Sequence, residues 1–216
     1  MERSVAELVG ETDVETLSAA QVVDTVLEAL HPNVALACSF QKEETVLLDL
    51  LFKARPGARV FALDTRVLFD ETYDYWQKVE ERYDTRVEVF AADDPPDRLW
   101  ETDPAGCCGI RKVTPLKQAL SGLDAWITGM RREQSPTRSD IDEVGWDEKH
   151  GLWKFNPLAG WTERDVWSYI ADHGLPYHPL HDGGYASIGC VHCTQPGAGR
   201  EGRWAGSEKT ECGLHV

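Results

Sequence analysis

Two adjacent cysteines, Cys107 and Cys108, and a second pair spaced as Cys190-Val191-His192-Cys193 constrain this chain more than any other feature. A long stretch of chain separates them. If all four thiolates serve one centre, the fold must bring two remote segments together. Four thiolates suit either a tetrahedral zinc or an iron–sulfur cube. The adjacent pair weighs against zinc, because structural zinc sites usually space their ligands by two to four residues. Neighbouring residues reach one small ion only with strain, yet each can reach a different iron of a larger cluster. The pattern therefore favours a [4Fe–4S] centre on Cys107, Cys108, Cys190 and Cys193. Zinc, or four reduced cysteines that only pack in a core, are the alternatives.

Charge narrows the class further. The chain carries a net charge of −15 over 216 residues, which argues against non-specific binding to nucleic acid or to an anionic membrane. No apolar run is long enough to span a bilayer, and Met1-Glu2-Arg3-Ser4 does not open a signal peptide. A cytoplasmic protein is expected. There, six cysteines point to metal binding or catalysis rather than disulfides.

Short apolar runs alternate with helical periodicity. A helix is expected over residues 18–30 behind Ser18, strands over 34–38, 59–64, 86–90, 125–128 and 153–156, and helices near 46–54, 70–83, 108–120 and 161–172. Such alternation predicts an α/β fold with a doubly wound, mostly parallel sheet. Ligands of such sheets sit beyond the carboxyl ends of the strands, here Ser39, Asp64, Ala91 and Gly129. Pro, Gly and charge dominate after Pro196. The expected organisation is an α/β domain over residues 1–195 and a mobile tail over 196–216.

Several loops could take an anion. Ser39-Phe40-Gln41-Lys42-Glu43-Glu44 joins a strand to a helix start, where backbone N–H groups are unpaired, although an ordinary N-cap reads the same way. Arg131, Arg132 and Arg138 fall in one loop of an acidic protein, and Arg200 and Arg203 lie in the tail. With Arg111 and Lys112 beside the cysteine pair, these could draw a small polyanion. Asp64-Thr65 could meet a ribose or cap a helix. Cys212 lies too close to the terminus to help a core, with Gly213 beside it and His215 three residues on. A cation there would lower its pKa and make it a mobile nucleophile. Cys38 reads as core packing.

Taken together these residues resemble the assimilatory adenylyl-sulfate (APS) reductases, relatives of the 3′-phosphoadenylyl-sulfate (PAPS) reductases. The carrying motifs are Cys107-Cys108 with Arg111-Lys112, Cys190-x-x-Cys193, Thr128-Gly129-Met130-Arg131-Arg132-Glu133-Gln134-Ser135 and the closing Glu211-Cys212-Gly213-Leu214-His215. The resemblance implies an adenine-nucleotide alpha hydrolase-like fold and a [4Fe–4S] cluster on the four cysteines. It also implies that Cys212 attacks the sulfur of APS, AMP leaves, and thioredoxin or glutaredoxin releases sulfite. Lys112 and His215 would assist Cys212. Ser39, Phe40, Lys42, Asp64, Thr65, Arg131, Arg132, Arg138, Arg200 and Arg203 would bind substrate, and a homo-oligomer is compatible. Two loops depart from the family pattern: Gln41 and Arg66 stand where the family has glycine. Arg66 could meet a 3′-phosphate, so PAPS or dual specificity stays open. An ATP-dependent adenylating enzyme lacks support for want of a glycine-rich Ser-Gly-Gly loop, and an iron–sulfur redox sensor for want of a basic face.

Overall fold

The computed structural model describes residues 14–205, Lys209 and residues 211–215. Among the described residues six strands form one sheet, in the order β3-β2-β1-β4-β6-β5. The strands are β1 (Val34–Ala37), β2 (Arg59–Leu63), β3 (Glu88–Phe90), β4 (Ala125–Ile127), β5 (Val144–Asp147) and β6 (Leu152–Phe155). The chain divides into two compact units. The first takes the described residues up to Cys38, then Lys42–Val60 and Gly122–Leu175; the second takes Ser39–Gln41, Phe61–Ser121 and Pro176 onward.

In the first unit β1 pairs parallel with β4, setting Val34 against Ala125, and β4 pairs parallel with β6. β1 and β4 are apolar throughout rather than alternating, as strands covered on both faces must be. β5 joins the edge antiparallel to β6, with Trp146 edge-on to Trp153 at 5.5 Å. This strand was not expected: Val-Gly-Trp-Asp is too short and polar to show a period. Helix α1 (Ala19–Leu30) starts at Ser18, whose hydroxyl accepts from the Gln21 N–H while the Gln21 side chain accepts from the Ser18 N–H. That capping box satisfies two donors a helix end otherwise leaves orphaned. Val22, Val23, Val26, Leu27 and Leu30 form its buried stripe. Helix α2 (Lys42–Ala54) is buried even in its charged first turn. It packs with helix α7 (Glu163–Asp172), where Tyr169 donates to Asp49 at 2.8 Å.

In the second unit β2 pairs parallel with β3, Phe61 opposite Glu88. Helix α3 (Asp70–Tyr83) buries Thr72, Tyr75, Trp76 and Val79. Three helical pieces follow: α4 (Leu99–Thr102), α5 (Pro104–Cys108) and α6 (Thr114–Leu120), with a π-helical segment, Gly109–Val113, between the last two. The helix expected from residue 108 thus begins at Pro104. Asp103 caps it by accepting from the Gly106 N–H at 2.8 Å, and Pro104 occupies the first turn, where no N–H is needed.

His178 ties the later part of this unit to α3. The Leu180 N–H donates to its Nδ1 at 3.2 Å, which leaves Nε2–H to donate to Thr72 Oγ1 at 2.9 Å. The ring is fully buried, and burial, then His181, lowers its pKa from the usual 6.5 to about 4. The unfolded chain therefore binds the extra proton first as pH falls. Stability is full above about 6.5, declines below it, and levels off near 4. At pH 5 the loss is about 2 kcal/mol. Denaturant titrations at pH 7 and pH 5 are expected to show this loss, and a His178→Asn variant a much shallower one. An equal slope in both proteins would assign the acid sensitivity elsewhere.

Candidate active site

The site in the second unit is assembled by two turns. Cys107 and Cys108 end α5, buried, where the helix widens into the π segment carrying Arg111 and Lys112. Such a widened turn offsets the side chains that follow it and is frequent at functional sites. The other pair lies on a 3₁₀ turn, Val191–Cys193, closed by the Cys193 N–H to the Cys190 carbonyl at 3.0 Å. The Val191 N–H donates to Val67 O at 2.9 Å, and Cys190 bridges Leu68. All four cysteines line one cavity, with Arg111, Lys112, Trp100, His192 and Trp204 among its walls. Among the described residues no group of three or more His, Cys, Asp or Glu is set to close on a single metal ion. None of the six cysteines forms a disulfide, and Cys38 is buried in the core.

Polar groups around the cavity have distinct tasks. Thr65 Oγ1 lies 3.3 Å from Cys190 Sγ. Arg111 is buried and donates to the carbonyls of Thr65 (2.7 Å) and Pro96 (3.0 Å), which fixes it as a strut. Trp100 and His192 stack flat at 3.9 Å and 2°. Burial raises the Cys107 thiol against the pull of Arg111, and burial with the neighbouring Cys190 raises Cys193. Lys112 shows the opposite balance. Burial pulls its pKa down, but the sulfurs of Cys190 and Cys212 outweigh burial and hold it above its ordinary value.

The C-terminal residues reach the same cavity region. Gln195 N–H donates to Gly202 O at 2.8 Å and Trp204 N–H to Cys193 O at 2.9 Å, so residues 194–204 fold back on the Cys190 turn. Lys209 donates to Pro104 O at 2.8 Å and lies 5.4 Å from the Trp204 ring. Arg200 pairs with Glu211 at 2.9 Å. Burial would raise the Cys212 thiol, but Lys112, the Leu214 backbone and Arg203 together hold it below the usual thiol range. Glu211 works against them. His215 stands three residues beyond.

At the end of β2, Asp64 Oδ1 accepts from Tyr73 OH and from the Arg66 N–H, both at 2.7 Å. Arg66 takes a left-handed conformation, φ 60°, which explains why glycine suits that position, and its guanidinium donates to Asp93 O at 3.0 Å. Ser39 Oγ accepts from Gln41, whose own carbonyl accepts from the Ile188 N–H at 2.7 Å. Phe40 is buried and stacks on Trp76 at 4.8 Å, a core position rather than a ligand-facing one.

The first unit holds the arginine loop. Arg131 is 2% exposed, and all five of its N–H groups are used. Nε and Nη2 donate to Glu43 Oε1, Nη2 also to Glu163 Oε2, and Nη1 to Glu133 Oε2 and Trp161 O, at 2.7–3.2 Å. Lys42 is likewise buried, 3.3 Å from Glu163. Burial would raise Glu43, but Lys42 and Arg131 hold it below its ordinary value. The residues expected to draw an external anion, Lys42 and Arg131, thus have internal carboxylates. Arg138 is buried and donates to Gln134, whereas Arg132 is exposed, its Nε donating to Ile141 O at 2.9 Å. Tyr73, Trp204 and the Trp100–His192 pair carried no expectation. Glu211 lay inside a quoted motif with no role attached. Only its place beside Cys212 could have marked it.

Known proteins bear on this arrangement. The model of the phosphoadenosine phosphosulfate reductase domain matches residues 33–196. A protein of Geobacillus thermodenitrificans named adenosine 5′-phosphosulfate reductase is 45% identical over 95% of this chain and 93% of its own. One of that name from Lysinibacillus sphaericus is 48% identical over 85% of this chain and 84% of its own. Among solved structures, a phosphoadenylyl-sulfate reductase from Candida auris in a phosphate complex superposes with a TM-score of 0.78 at 28% identity, covering 90% of this chain and 99% of that one. The FMN adenylyltransferase of Candida glabrata, 16% identical with a TM-score of 0.64 over 83% of this chain and 65% of its own, shares the fold alone. No helix among the described residues is long and apolar enough to cross a membrane. Cavity thiols, doubly wound sheet and matched length agree: the chain belongs to the phosphoadenosine phosphosulfate reductase family, alongside its adenosine 5′-phosphosulfate reductases.

Proposed function

We propose that this protein reduces adenosine 5′-phosphosulfate to sulfite and AMP, with Cys212 as nucleophile and a dithiol protein of the thioredoxin or glutaredoxin type as electron donor. The reading is carried by the cavity that the four thiols and Lys112 line, with Lys112 and Arg203 drawing the Cys212 thiol below its usual range against burial. A thiolate is the attacking form, and cations are the means of obtaining it near neutral pH.

The steps balance. The Cys212 thiolate forms a bond to the sulfate sulfur, and the sulfur–oxygen bond to the phosphate breaks. AMP leaves with that electron pair, and the cysteine becomes an S-sulfonate. A thiolate of the donor protein then attacks Cys212 Sγ, and sulfite leaves with the pair. The donor's second thiolate resolves the mixed disulfide and returns Cys212. Both electrons come from the dithiol. Lys112 and Arg203 stabilise charge that develops on the phosphosulfate oxygens, the kind of term that usually dominates such transfers. Arg200, Asp64, Thr65 and Ser39 hold the substrate, and His215 supports the Cys212 segment. The second half-reaction needs Cys212 to reach a protein partner. Residues 196–216 therefore serve as the moving tail on the domain formed by 1–195.

Cys107, Cys108, Cys190 and Cys193 would hold a [4Fe–4S] cluster. The donor set fits: four thiols face one cavity, no carboxylate lines it, and two cations do. When bound, the cluster supplies fixed negative charge near Lys112 and cross-links the two turns, with no change of oxidation state required. A cytoplasmic enzyme of sulfate assimilation, free of membrane and nucleic acid and able to self-associate, accords with this reading. PAPS as substrate is the second reading, favoured by Arg66 beside Asp64.

Anaerobic protein incubated with APS and no thiol donor is expected to carry a sulfonate on Cys212 alone by peptide mass spectrometry. A Cys212→Ser variant should form neither adduct nor sulfite; full turnover in that variant would remove the nucleophile. The same incubation with PAPS decides between the two substrates. Wild-type protein should hold about four irons per chain, and Cys107→Ser or Cys190→Ser far fewer, as befits cluster ligands. Unchanged iron in those variants would refute the ligand set. Lys112→Ala is expected to lower kcat/KM for APS roughly 10- to 100-fold at normal iron content; loss of iron instead would make Lys112 a support of the cluster.

A further inference from the structure

Arg203 lies across a residue that has no side chain. A Cβ built on Gly189 would stand 2.3 Å from Arg203 Nη2, 2.5 Å from Cζ and 3.0 Å from Nε. The Trp204 ring also lies against the guanidinium, its centroid 4.6 Å from Cζ. Nη1 donates to Ser187 Oγ at 3.3 Å and to Ile188 O at 3.2 Å. Arg203 is 8% exposed, and its Nε is buried without a hydrogen-bond partner. A buried donor left unpaired is destabilising, and more so when the group is charged. An oxyanion accepting from Nε–H would remove that cost.

Gly189 does not need its glycine for backbone reasons. It is not among the glycines with positive φ. The three atoms nearest to an alanine methyl there all belong to the end of one flexible side chain, which can swing away. The methyl group would therefore displace the guanidinium without breaking the fold. We infer that Gly189 is a positioning residue: it seats the Arg203 guanidinium against Trp204, so that the unfilled Nε–H is held for the sulfate or phosphate oxygens during attack by Cys212. This rests on Arg203 acting on the substrate as proposed above.

The test uses the iron-loaded protein and reads the single-turnover rate of Cys212 sulfonation by APS, with iron content and melting temperature alongside. Gly189→Ala is expected to keep iron and melting temperature near wild type and to slow sulfonation roughly tenfold or more. Arg203→Lys has no planar guanidinium to collide, so adding Gly189→Ala to it should cost almost nothing further, a non-additive cycle. Wild-type sulfonation in Gly189→Ala, while Arg203→Ala is slow, would sink the seat and leave the proposed chemistry standing. Wild-type sulfonation in Arg203→Ala would overturn the role of Arg203, and the seat with it. Should Gly189→Ala lose iron, the Arg203→Lys background decides. A loss that persists there acts through Cys190 and overturns the inference; a loss that vanishes acts through Arg203 and supports it.

Discussion

Lys112 is a half-buried cation whose counter-charges are sulfur atoms from two other parts of the chain, Cys190 and Cys212. That pairing is the constraint from which the rest of the second unit follows. A buried ammonium is stable only with anions close by, and here the anions exist only when the thiols are ionised. The cysteine turn and the terminal segment are therefore coupled through one side chain. Placing Lys112 there requires the helix after Cys108 to widen. It also requires its neighbour Arg111 to be held off by the carbonyls of Thr65 and Pro96.

The first unit solves a similar problem differently. Arg131 is more deeply buried, its partners are carboxylates and a carbonyl, and every donor is filled. Removing one partner of such a network strands a charge, at a typical cost of about 3–5 kcal/mol. Arg131 is thus framework, fastening the turn after β4 to the first turns of α2 and α7. Arg203 differs from Arg131 in that its Nε is buried with no hydrogen-bond partner.

Much of this was legible in the sequence because its signals are local. Apolar runs announced β1, β2 and β4, Ser18 announced α1, and the cysteine spacing announced the cavity. The adjacent pair is the sharpest case, since few demands other than a shared centre place two buried thiols side by side. What stayed hidden depends on distant partners. Lys42 and Arg131 read as free cations because nothing in the chain reveals that Glu43 and Glu163 lie against them. Phe40 read as a loop residue because its stack on Trp76 spans a strand and a helix. β5 stayed hidden because its pairing with β6, not its own pattern, makes it a strand.

Glycine shows the limit most clearly. A turn glycine can be guessed from its neighbours, as at Pro56-Gly57, where φ is +82°. Gly129 and Gly189 have no such signature. At Gly129 a Cβ would stand 2.4 Å from Glu44 Oε1 and 2.9 Å from Glu43 Cβ, so its bareness lets the arginine loop press on the acidic first turn of α2. At Gly189 the same bareness admits a guanidinium. In both places a missing methyl group lets a charged group approach backbone more closely than any side chain would allow. Gly129 lies inside a motif that the sequence does advertise, between Thr128 and the arginine run, and Gly189 immediately precedes one at Cys190. The advertised residues carry the charge and the sulfur, and the silent ones set the distances at which that chemistry operates.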